Sequence, residues 1–324
     1  MDVKGSILQE CSKGYKLATR ARLASAMVYD QVVFLDRANG SDSNSGEDWD
    51  NSVKTVNGAQ DKIYGGSNDS ARGRTFAIIL RGRTTSGLKF TETQTIDISG
   101  VHLLGAGTLF GGFSGESCFI LPLATTSNST GLDITVSDVA IEGLKFYNPD
   151  STEAEHSFIR VRDAIEPVVL DNAFIGSNNN GDITSRYSDG IDIQGCEGGL
   201  FAGNNMYYLY KAIKMGSGAS RYMHKCVIEE NFIQGSAYGM VDVAAEQLVT
   251  ENLIKKNYIL RKTQYGFTMV SGIDFAIGNN AGNLIMENYV GHATPTTAYT
   301  KGSGTNYWIN NWYALSGGTK YAEE

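Results

Sequence analysis

The strongest candidate for chemistry in this chain lies in the segment Ser188-Asp189-Gly190-Ile191-Asp192-Ile193. Its Asp189 is of interest because glycoside hydrolysis generally uses one carboxyl group as an acid and a second carboxylate about 5 to 10 Å away. The chain after this segment reads Gln194 to Gly199 and contains no Asp-Asp pair. Asp189-Gly190 is also a common turn before a strand. We therefore predict a structural turn here rather than a catalytic site.

Metal-binding and nucleophilic motifs are weak elsewhere. Asp42 and Asn44 lie in a polar loop, but calcium prefers regularly spaced oxygens and a later bidentate Glu, so we predict an Asx-rich turn. The cysteines share no metal-type spacing, and we predict buried, reduced thiols. We expect no metal and no cofactor. The four cysteines are Cys11, Cys118, Cys196 and Cys226, and the four scattered histidines are His102, His156, His224 and His292.

A repeated phrase organises the second half of the chain. It consists of an asparagine, an aromatic or apolar residue and then a β-forming residue, and its last five copies follow one another at steps of 23 to 31 residues. Steps of this size are typical of repeat architectures. The asparagines are Asn172, Asn205, Asn231, Asn257, Asn288 and Asn311.

Short β-rich pieces separate these asparagines, for example Lys211 to Met215 and Met240 to Val243. Three strands of about five residues and three turns of about three make a coil of roughly 24 residues. The sequence therefore predicts an all-β solenoid, a parallel β-helix. Stacked coils place equivalent residues about 4.8 Å apart, so inward asparagines are expected to form a hydrogen-bonded ladder. The alternative is that they are ordinary surface turn residues.

The first 107 residues carry a family resemblance. The runs Phe34-Leu35-Asp36, Asn39-Gly40-Ser41-Asp42, Lys54-Thr55-Val56, Ala77 to Leu80 and Val101 to Gly107 are similar to the opening of pectin-lyase-like β-helix proteins. That fold occurs in bacteriophage tailspikes, in other virion proteins and in secreted carbohydrate-active proteins. The resemblance implies a single-stranded right-handed parallel β-helix, a hand that β-crossovers also prefer.

We divide the chain into an N-terminal arm or cap, residues 1–31, and a β-helix domain, residues 32–324. A short helix with basic residues on its other side is expected in the arm, because apolar residues cluster at Leu17, Ala18, Ala21, Leu23, Ala24, Ala26 and Met27. This arm either covers the open end of the solenoid or docks onto another virion protein. A second short helix is expected between Val53 and Ile63.

The resemblance also supplies two enzymatic alternatives. The segment Ser188 to Ile193 resembles the Asn-Thr-Asp-Gly segment of polygalacturonase-type glycoside hydrolases, which implies that Asp189 is a catalytic carboxylate. The further carboxylates and the Gly-His-Gly of those enzymes are missing here, where the chain reads Met215-Gly216-Ser217-Gly218. A lyase of this fold would use an Arg or Lys base beside a calcium-holding acidic cluster. The residues that could meet for it are Lys211, Lys214, Arg221 and Asp242.

Aromatic residues form a further set of candidates. Aromatic side chains stack on sugar rings, anchor protein interfaces or fill the core, and the sequence leaves these three roles open. The candidates for surface binding are Tyr207, Tyr208, Tyr210, Tyr222, Trp308 and Trp312.

The net charge and the hydropathy of the chain argue against nucleic-acid binding and against membrane insertion. The formal charge of −8 over 324 residues argues against a nucleic-acid groove. We expect no signal peptide and no membrane insertion, because no apolar run of the required length occurs. From the resemblance to pectin-lyase-like proteins, together with the expected lack of an export signal, the N-terminal arm and the poor set of catalytic residues, we predict a bacteriophage virion structural protein. It would be of the tailspike, fibre or capsid-decorating kind, form a homotrimer and contact a host-surface polysaccharide. The alternatives are a polysaccharide-degrading hydrolase or lyase and a non-catalytic glycan-binding adhesin.

Overall fold

The structure is a computed structural model. It describes residues 29–63, 73–82, 90, 92–106, 119–120, 130–148, 156–176, 188–216, 222–243, 248–261, 269–276, 279–291, 298–302, 304–314 and 320–323. Within these ranges, no helix has the length and apolar character needed to cross a membrane.

The strands form three sheets, and helix α1 spans Val56–Lys62. Sheet A has fourteen strands: β1 Gln31–Leu35, β2 Phe76–Arg81, β4 Val101–Ala106, β7 Ala140–Glu142, β10 Ala164–Ile165, β11 Val168–Leu170, β14 Cys196–Glu197, β15 Leu200–Ala202, β18 Met223–His224, β19 Val227–Glu229, β22 Leu248–Thr250, β23 Leu253–Lys255, β26 Asn279–Met286 and β29 Thr305–Ile309.

Sheets B and C complete each turn of the chain. Sheet B has nine strands: β5 Phe119–Ile120, β8 Lys145–Tyr147, β12 Ala173–Ile175, β16 Asn205–Tyr207, β20 Phe232–Gln234, β24 Tyr258–Leu260, β27 Tyr289–Gly291, β30 Asn311–Ala314 and β31 Lys320–Glu323. Sheet C has eight: β3 Gln94–Ile96, β6 Thr130–Ile134, β9 His156–Val161, β13 Ser188–Ile193, β17 Lys211–Met215, β21 Tyr238–Asp242, β25 Ser271–Asp274 and β28 Tyr299–Thr300.

Successive turns of the chain stack in register as parallel rungs. In sheet A, Val168 pairs with Leu200, Leu200 with Val227 and Val227 with Leu253. The same parallel pairing runs through sheets B and C, and β31, antiparallel to β30, departs from it. This pairing confirms the predicted all-β parallel β-helix. The predicted arm at residues 1–28 lies outside the described residues, and Gln31 already belongs to strand β1.

Helix α1 lies beside the first rungs and confirms the helix predicted between Val53 and Ile63. Its N-cap is Thr55, whose hydroxyl accepts a hydrogen bond from Gly58 N at 2.8 Å. The predicted Asx-rich loop supports this cap: Asp42 Oδ1 accepts from the backbone N–H groups of Lys54 and Thr55, both at 2.9 Å. The loop therefore secures the start of the helix.

The turns between sheets A and B are made by single residues in the left-handed region. Each has a φ between 51° and 64° and directly precedes an inward-facing asparagine. One such residue redirects the backbone without a loop, so each rung stays compact at this corner. The residues are Asp171, Gly203, Glu230, Lys256, Glu287 and Asn310.

The asparagines after these corners form a continuous buried ladder. In each step, the Oδ1 atom of one asparagine accepts hydrogen bonds from the backbone N and the Nδ2 of the asparagine one rung earlier, with Nδ2–Oδ1 distances of 2.9 to 3.2 Å. Each Nδ2 from Asn172 to Asn311 also donates to a backbone carbonyl of an adjacent strand. The ladder residues are Asn172, Asn204, Asn231, Asn257, Asn288 and Asn311, none more than 1% exposed.

The prediction of Asn205 as a ladder residue is wrong by one position. Asn204, 0% exposed, occupies the ladder and donates from Nδ2 to Asn231 Oδ1 at 3.0 Å. Asn205 is the first residue of β16 and pairs with Phe232 in the outward row of sheet B. The reason is the corner residue: Gly203 adopts the left-handed conformation, so the inward position falls on the residue directly after it.

The sequence analysis missed a second, shorter ladder at the adjacent corner within sheet A. Asn252 Nδ2 donates to Asn283 Oδ1 at 2.9 Å, and Asn283 Nδ2 donates to Asn306 Oδ1 at 2.8 Å. Cys226 holds the equivalent position one rung before Asn252, whose Oδ1 accepts from Cys226 N at 2.8 Å. The cysteines within the described residues, Cys196 and Cys226, are buried free thiols with their Sγ atoms 3.4 Å apart.

Candidate functional site on the outer face of sheet C

An irregularity in the alternation of the sheet C strands determines which side chains lie on the outer face of this sheet. Two successive residues face the core in these strands, for example Phe158 and Ile159 in β9 and Ala212 and Ile213 in β17, all 0% exposed. The residues on either side of such a pair therefore both face outward, three positions apart. In β13 these residues are Asp189 and Asp192, and in β17 they are Lys211 and Lys214.

Asp189 lies within strand β13, so the predicted turn at this position is wrong. Its carboxylate is 1% exposed; Oδ1 accepts from Lys211 N at 3.2 Å, and Oδ2 lies 3.5 Å from Lys214 Nζ. Gly190 belongs to the inward pair, because a Cβ there would lie 3.0 Å from Cδ1 of the core residue Leu209; it would also lie 2.4 Å from the carbonyl oxygen of Ala212. The Asp-Gly sequence thus reflects a close approach between rungs and not a hairpin.

Lys214 is shared by two carboxylates. Its Nζ lies 3.8 Å from Asp192 Oδ2 as well as 3.5 Å from Asp189 Oδ2. Asp192 also accepts a hydrogen bond from Gln194 Nε2 at 3.0 Å. Both carboxylates are therefore held by the same ammonium group, close to the backbone of the sheet.

A second cluster of charges lies on the neighbouring rungs. Arg160 donates to both carboxylate oxygens of Asp133, at 3.3 and 3.0 Å, and Arg162 also engages both oxygens. The register places Arg160 opposite Asp133 on one side and Asp192 on the other. Acidic and basic residues therefore alternate along this row, which favours cross-strand attraction.

Two tyrosines flank the charged rows. Lys211 Nζ lies 4.2 Å from the centre of the Tyr210 ring, a cation–π contact. The Tyr210 ring meets that of Tyr238 edge-on at 5.6 Å. Burial and the negative charge of Asp274 raise the pKa of Tyr238, and a tyrosine hydroxyl can donate a hydrogen bond. This face thus combines charged groups, hydroxyl donors and aromatic rings.

The candidate residues for a lyase are only partly brought together. Lys211 and Lys214 share one strand, whereas Asp242 lies on the inner side, opposite Met215, at 0% exposure. Its Oδ2 accepts from Asn280 Nδ2 at 3.1 Å inside the solenoid. Arg221 lies outside the described residues. Among the residues that are described, no three His, Cys, Asp or Glu side chains gather in a metal-binding arrangement.

The predicted binding aromatics do not form one surface. Tyr208 is 7% exposed, and Trp308 packs edge-on against Phe275 and Tyr299. Tyr222 and Trp312 are 51% and 44% exposed, but Tyr222 lies just before β18 of sheet A, whereas Trp312 lies in β30 of sheet B. Tyr207 is half-buried and its ring lies 5.9 Å from that of Phe232, whereas Tyr210 borders the outer face of sheet C.

Sheet B carries a row of the aromatic residues that follow the repeated asparagines. The Phe232 and Tyr258 rings stack at 6.0 Å and the Tyr258 and Tyr289 rings at 4.5 Å, with interplanar angles of 14° and 11°. Trp312 continues the row one rung further, opposite Tyr289. Because the rings cover one another's faces, they offer mainly their edges to solvent.

No family model matches the sequence, and no curated protein matches it. Among solved structures, a pectate lyase from Bacillus sp. N165 in complex with trigalacturonate is similar, with 14% identity, a TM-score of 0.45, and coverage of 94% of this chain and 92% of that one. A lacto-N-biosidase from Eubacterium ramulus has 9% identity and a TM-score of 0.41 over 96% of this chain and 58% of its own.

A viral structure is also similar. The Dettilon tailspike protein has 12% identity and a TM-score of 0.30 over 86% of this chain and 68% of its own. Likenesses of this size assign no activity. The strand pairing of the chain itself identifies it as a parallel β-helix protein, the fold that the resemblance to pectin-lyase-like proteins implied.

Proposed function

We propose that this chain is a bacteriophage virion β-helix protein whose outer sheet C face binds a host-surface polysaccharide without cleaving it. The observation that carries this proposal is the cluster of Asp189, Asp192 and Lys214 beside Lys211 and Tyr210. The virion setting rests on the resemblance of the chain to a fold used by tailspikes and other virion proteins.

The chemistry of this face suits a polar, extended glycan. Hydroxyl groups of sugars accept and donate hydrogen bonds, and the partly exposed lysine and tyrosine side chains here offer donors. The rings of Tyr210 and Tyr238 add apolar surface against which a sugar ring can pack. The rows also run along the stack of rungs, so that a linear polymer could contact several rungs at once.

The same cluster disfavours hydrolysis. A glycoside hydrolase separates its two carboxyl groups by environment, so that one holds a proton while the other stays ionised. Asp189 and Asp192 instead share the single ammonium group of Lys214. Two carboxylates in one environment serve charge balance better than acid–base chemistry, which supports binding over cleavage.

The test is retention on immobilised bacterial capsular polysaccharides and lipopolysaccharides, with the eluate assayed for released oligosaccharides. We expect the full chain to be retained on at least one polymer and to release nothing. Tyr210→Ala combined with Lys211→Ala should weaken retention about tenfold or more, because it removes two contacts. Tyr258→Ala, an exposed aromatic of sheet B, is the matched control and should leave retention unchanged.

Three results would contradict the proposal. Release of oligosaccharides that disappears in Asp189→Asn would make the protein an enzyme. Equal loss of retention in Tyr258→Ala would move the binding site to sheet B. Absence of retention on every polymer offered would remove the glycan role.

Self-association is the second part of the proposed function. Tyr307, Ile309 and Trp312 lie on the last rungs of sheets A and B, 64%, 43% and 44% exposed. Aromatic residues are enriched in the centres of protein interfaces, and cyclic symmetry is common among homo-oligomers. We propose that these residues hold a homotrimer. Light scattering should give three times the chain mass for the wild type and a smaller mass for Tyr307→Ser combined with Trp312→Ser; a monomeric wild type would contradict it.

A further inference from the structure

Two buried cysteines lie at one end of the second asparagine ladder. Asn252 and Asn283 belong to this ladder, and Cys226 holds the equivalent position one rung before Asn252. Asn252 donates from Nδ2 to Met223 O, on the preceding rung, at 3.1 Å. Cys226 Sγ lies 3.7 Å from Cys196 O, which is the matching carbonyl one rung earlier. The Cys226 thiol therefore occupies the place of a ladder amide.

The rung before Cys226 has a glycine at this position. Val227 pairs with Leu200, so that Gly199 is the residue opposite Cys226. A Cβ at Gly199 would lie 2.6 Å from Cys196 Sγ, which means that the Cys196 side chain fills the space left by the glycine. The glycine thus lets the thiol of Cys196 come next to the thiol of Cys226.

The two thiols are close enough to react with each other. Their Sγ atoms are 3.4 Å apart, and a disulfide bond is about 2.0 Å long, so a combined movement of about 1.4 Å closes the gap. The hydrogen bond with Cys196 lowers the pKa of the Cys226 thiol. Because the thiolate is the reactive form of cysteine, this contact favours reaction of the pair.

A surface pocket brings solvent to this pair. Cys196 and Gly195 form part of its lining, and the exposed side chains of Ile165 and Tyr222 border it. Its volume of about 170 Å³ is several times that of a water molecule. Cys196 itself is only 2% exposed and Cys226 is fully buried. The pocket therefore admits a small oxidant such as hydrogen peroxide more readily than a bulky one.

We propose that Cys196 and Cys226 are a modification site at which hydrogen peroxide closes a disulfide between consecutive rungs. The thiolate of one cysteine attacks the peroxide, the O–O bond breaks, and a sulfenic acid and hydroxide form. The second thiol then attacks the sulfenic sulfur, so that the S–S bond forms and the oxygen leaves as water. In total the two thiols lose two electrons and two protons, and one peroxide becomes two water molecules.

The cross-link stabilises the stacked rungs. It joins two residues that are 226 − 196 = 30 positions apart, and a closed loop of this size restricts the unfolded chain. Oxidation should therefore lower the equilibrium constant of unfolding by at least about tenfold. The proposed virion role would take the chain from a reducing cytoplasm to oxidising surroundings, but the chemistry of the pair does not depend on that role.

Peptide mapping of the full chain, treated with hydrogen peroxide and then alkylated in denaturant, tests the proposal. Trypsin should release residues 187–211 linked to residues 226–255, with two hydrogen atoms fewer than the separate peptides, and dithiothreitol should separate them. Cys196→Ser should lose this link and, with it, the peroxide-dependent gain in stability towards urea. Cys11→Ser is the matched control and should keep both.

A second variant covers the case in which Cys196→Ser fails to fold. Cys226→Ala should unfold at the same urea concentration with and without peroxide. Three outcomes would overturn the proposal: complete alkylation of both cysteines after peroxide treatment, a link from either of them to Cys11 or Cys118 instead of to each other, or a peroxide-dependent gain in stability that persists in Cys226→Ala.

Discussion

The outer faces of sheets A and C belong to the same rungs but carry different side chains. On sheet A, Val168 and Leu200 face outward, and on sheet C the outward residues of neighbouring rungs are Arg160 and Asp192. The inner sides of both sheets are apolar and share one core. The solenoid therefore fixes where residues point, while the outward residues give sheet A an apolar face and sheet C a charged face, to which we propose that a glycan binds.

The two faces belong to the same stacked rungs, and the asparagine ladder holds these rungs together. Asn231→Ala should lower the free energy of unfolding by about 3 to 5 kcal/mol, because it leaves the backbone N–H and one side-chain N–H of Asn204 without an acceptor inside the core. Asn205→Ala should change it by less than about 0.5 kcal/mol. Urea unfolding measures both; equal effects would place the frame elsewhere.

Replacing one lysine by methionine on each face compares how much the charged pairs of the two faces contribute to the free energy of unfolding. Lys214→Met should cost about 2 to 4 kcal/mol, because Asp189 and Asp192 are 1% and 3% exposed and would lose their shared cation. Lys255→Met on sheet A removes one pair with Glu229, 3.0 Å long, and should cost about 1 kcal/mol or less. Thermal and urea unfolding would show the difference. A larger loss in Lys255→Met would reverse the comparison.

The sheet A face should also respond to acid. Burial lowers the pKa of His102 to about 4, whereas an unfolded histidine titrates near 6.5. Between these values the unfolded chain binds the proton and the folded chain does not, so stability is lost as the pH falls from about 6.5 towards 4. By pH 5 the loss should be about 1 to 2 kcal/mol.

Unfolding of His102→Gln at pH 7 and pH 5 isolates this contribution, since the variant should lack it. His224→Gln changes a partly exposed histidine of the same sheet and serves as the control. If the wild type and His102→Gln lose stability equally between the two pH values, His102 is not held neutral by the fold.

The sequence predicted the rung and its inner side well, because each rung returns the chain to the same corner, where Asn231, Asn257, Asn288 and Asn311 recur at steps of 23 to 31 residues. It misplaced one ladder residue where two asparagines are adjacent, since only the backbone conformation of Gly203 selects between them. The second ladder was overlooked because leucine, not an aromatic residue, follows Asn252 and Asn283. A search for asparagine followed by Leu-Ile would have found both Asn252 and Asn283.

The candidate site was harder to predict. In a strand that alternates strictly, residues three positions apart lie on opposite faces. Alternation alone would therefore place Asp189 and Asp192 on opposite sides of the sheet. The inward pair at Gly190 and Ile191 places both on the outside, and no local sequence rule signals that pair. The apolar outer rows of sheet A were likewise hidden, because runs such as Val168 to Leu170 resemble an ordinary buried strand.

The most direct test of the account maps the glycan contact on the full chain. Hydrogen exchange is measured with and without whichever capsular polysaccharide or lipopolysaccharide retains the protein. We predict slower exchange in β17 and β21 of sheet C, no change in β15 and β19 of sheet A, and no released oligosaccharide. Slower exchange confined to sheet A, or cleavage of the polymer, would contradict the account.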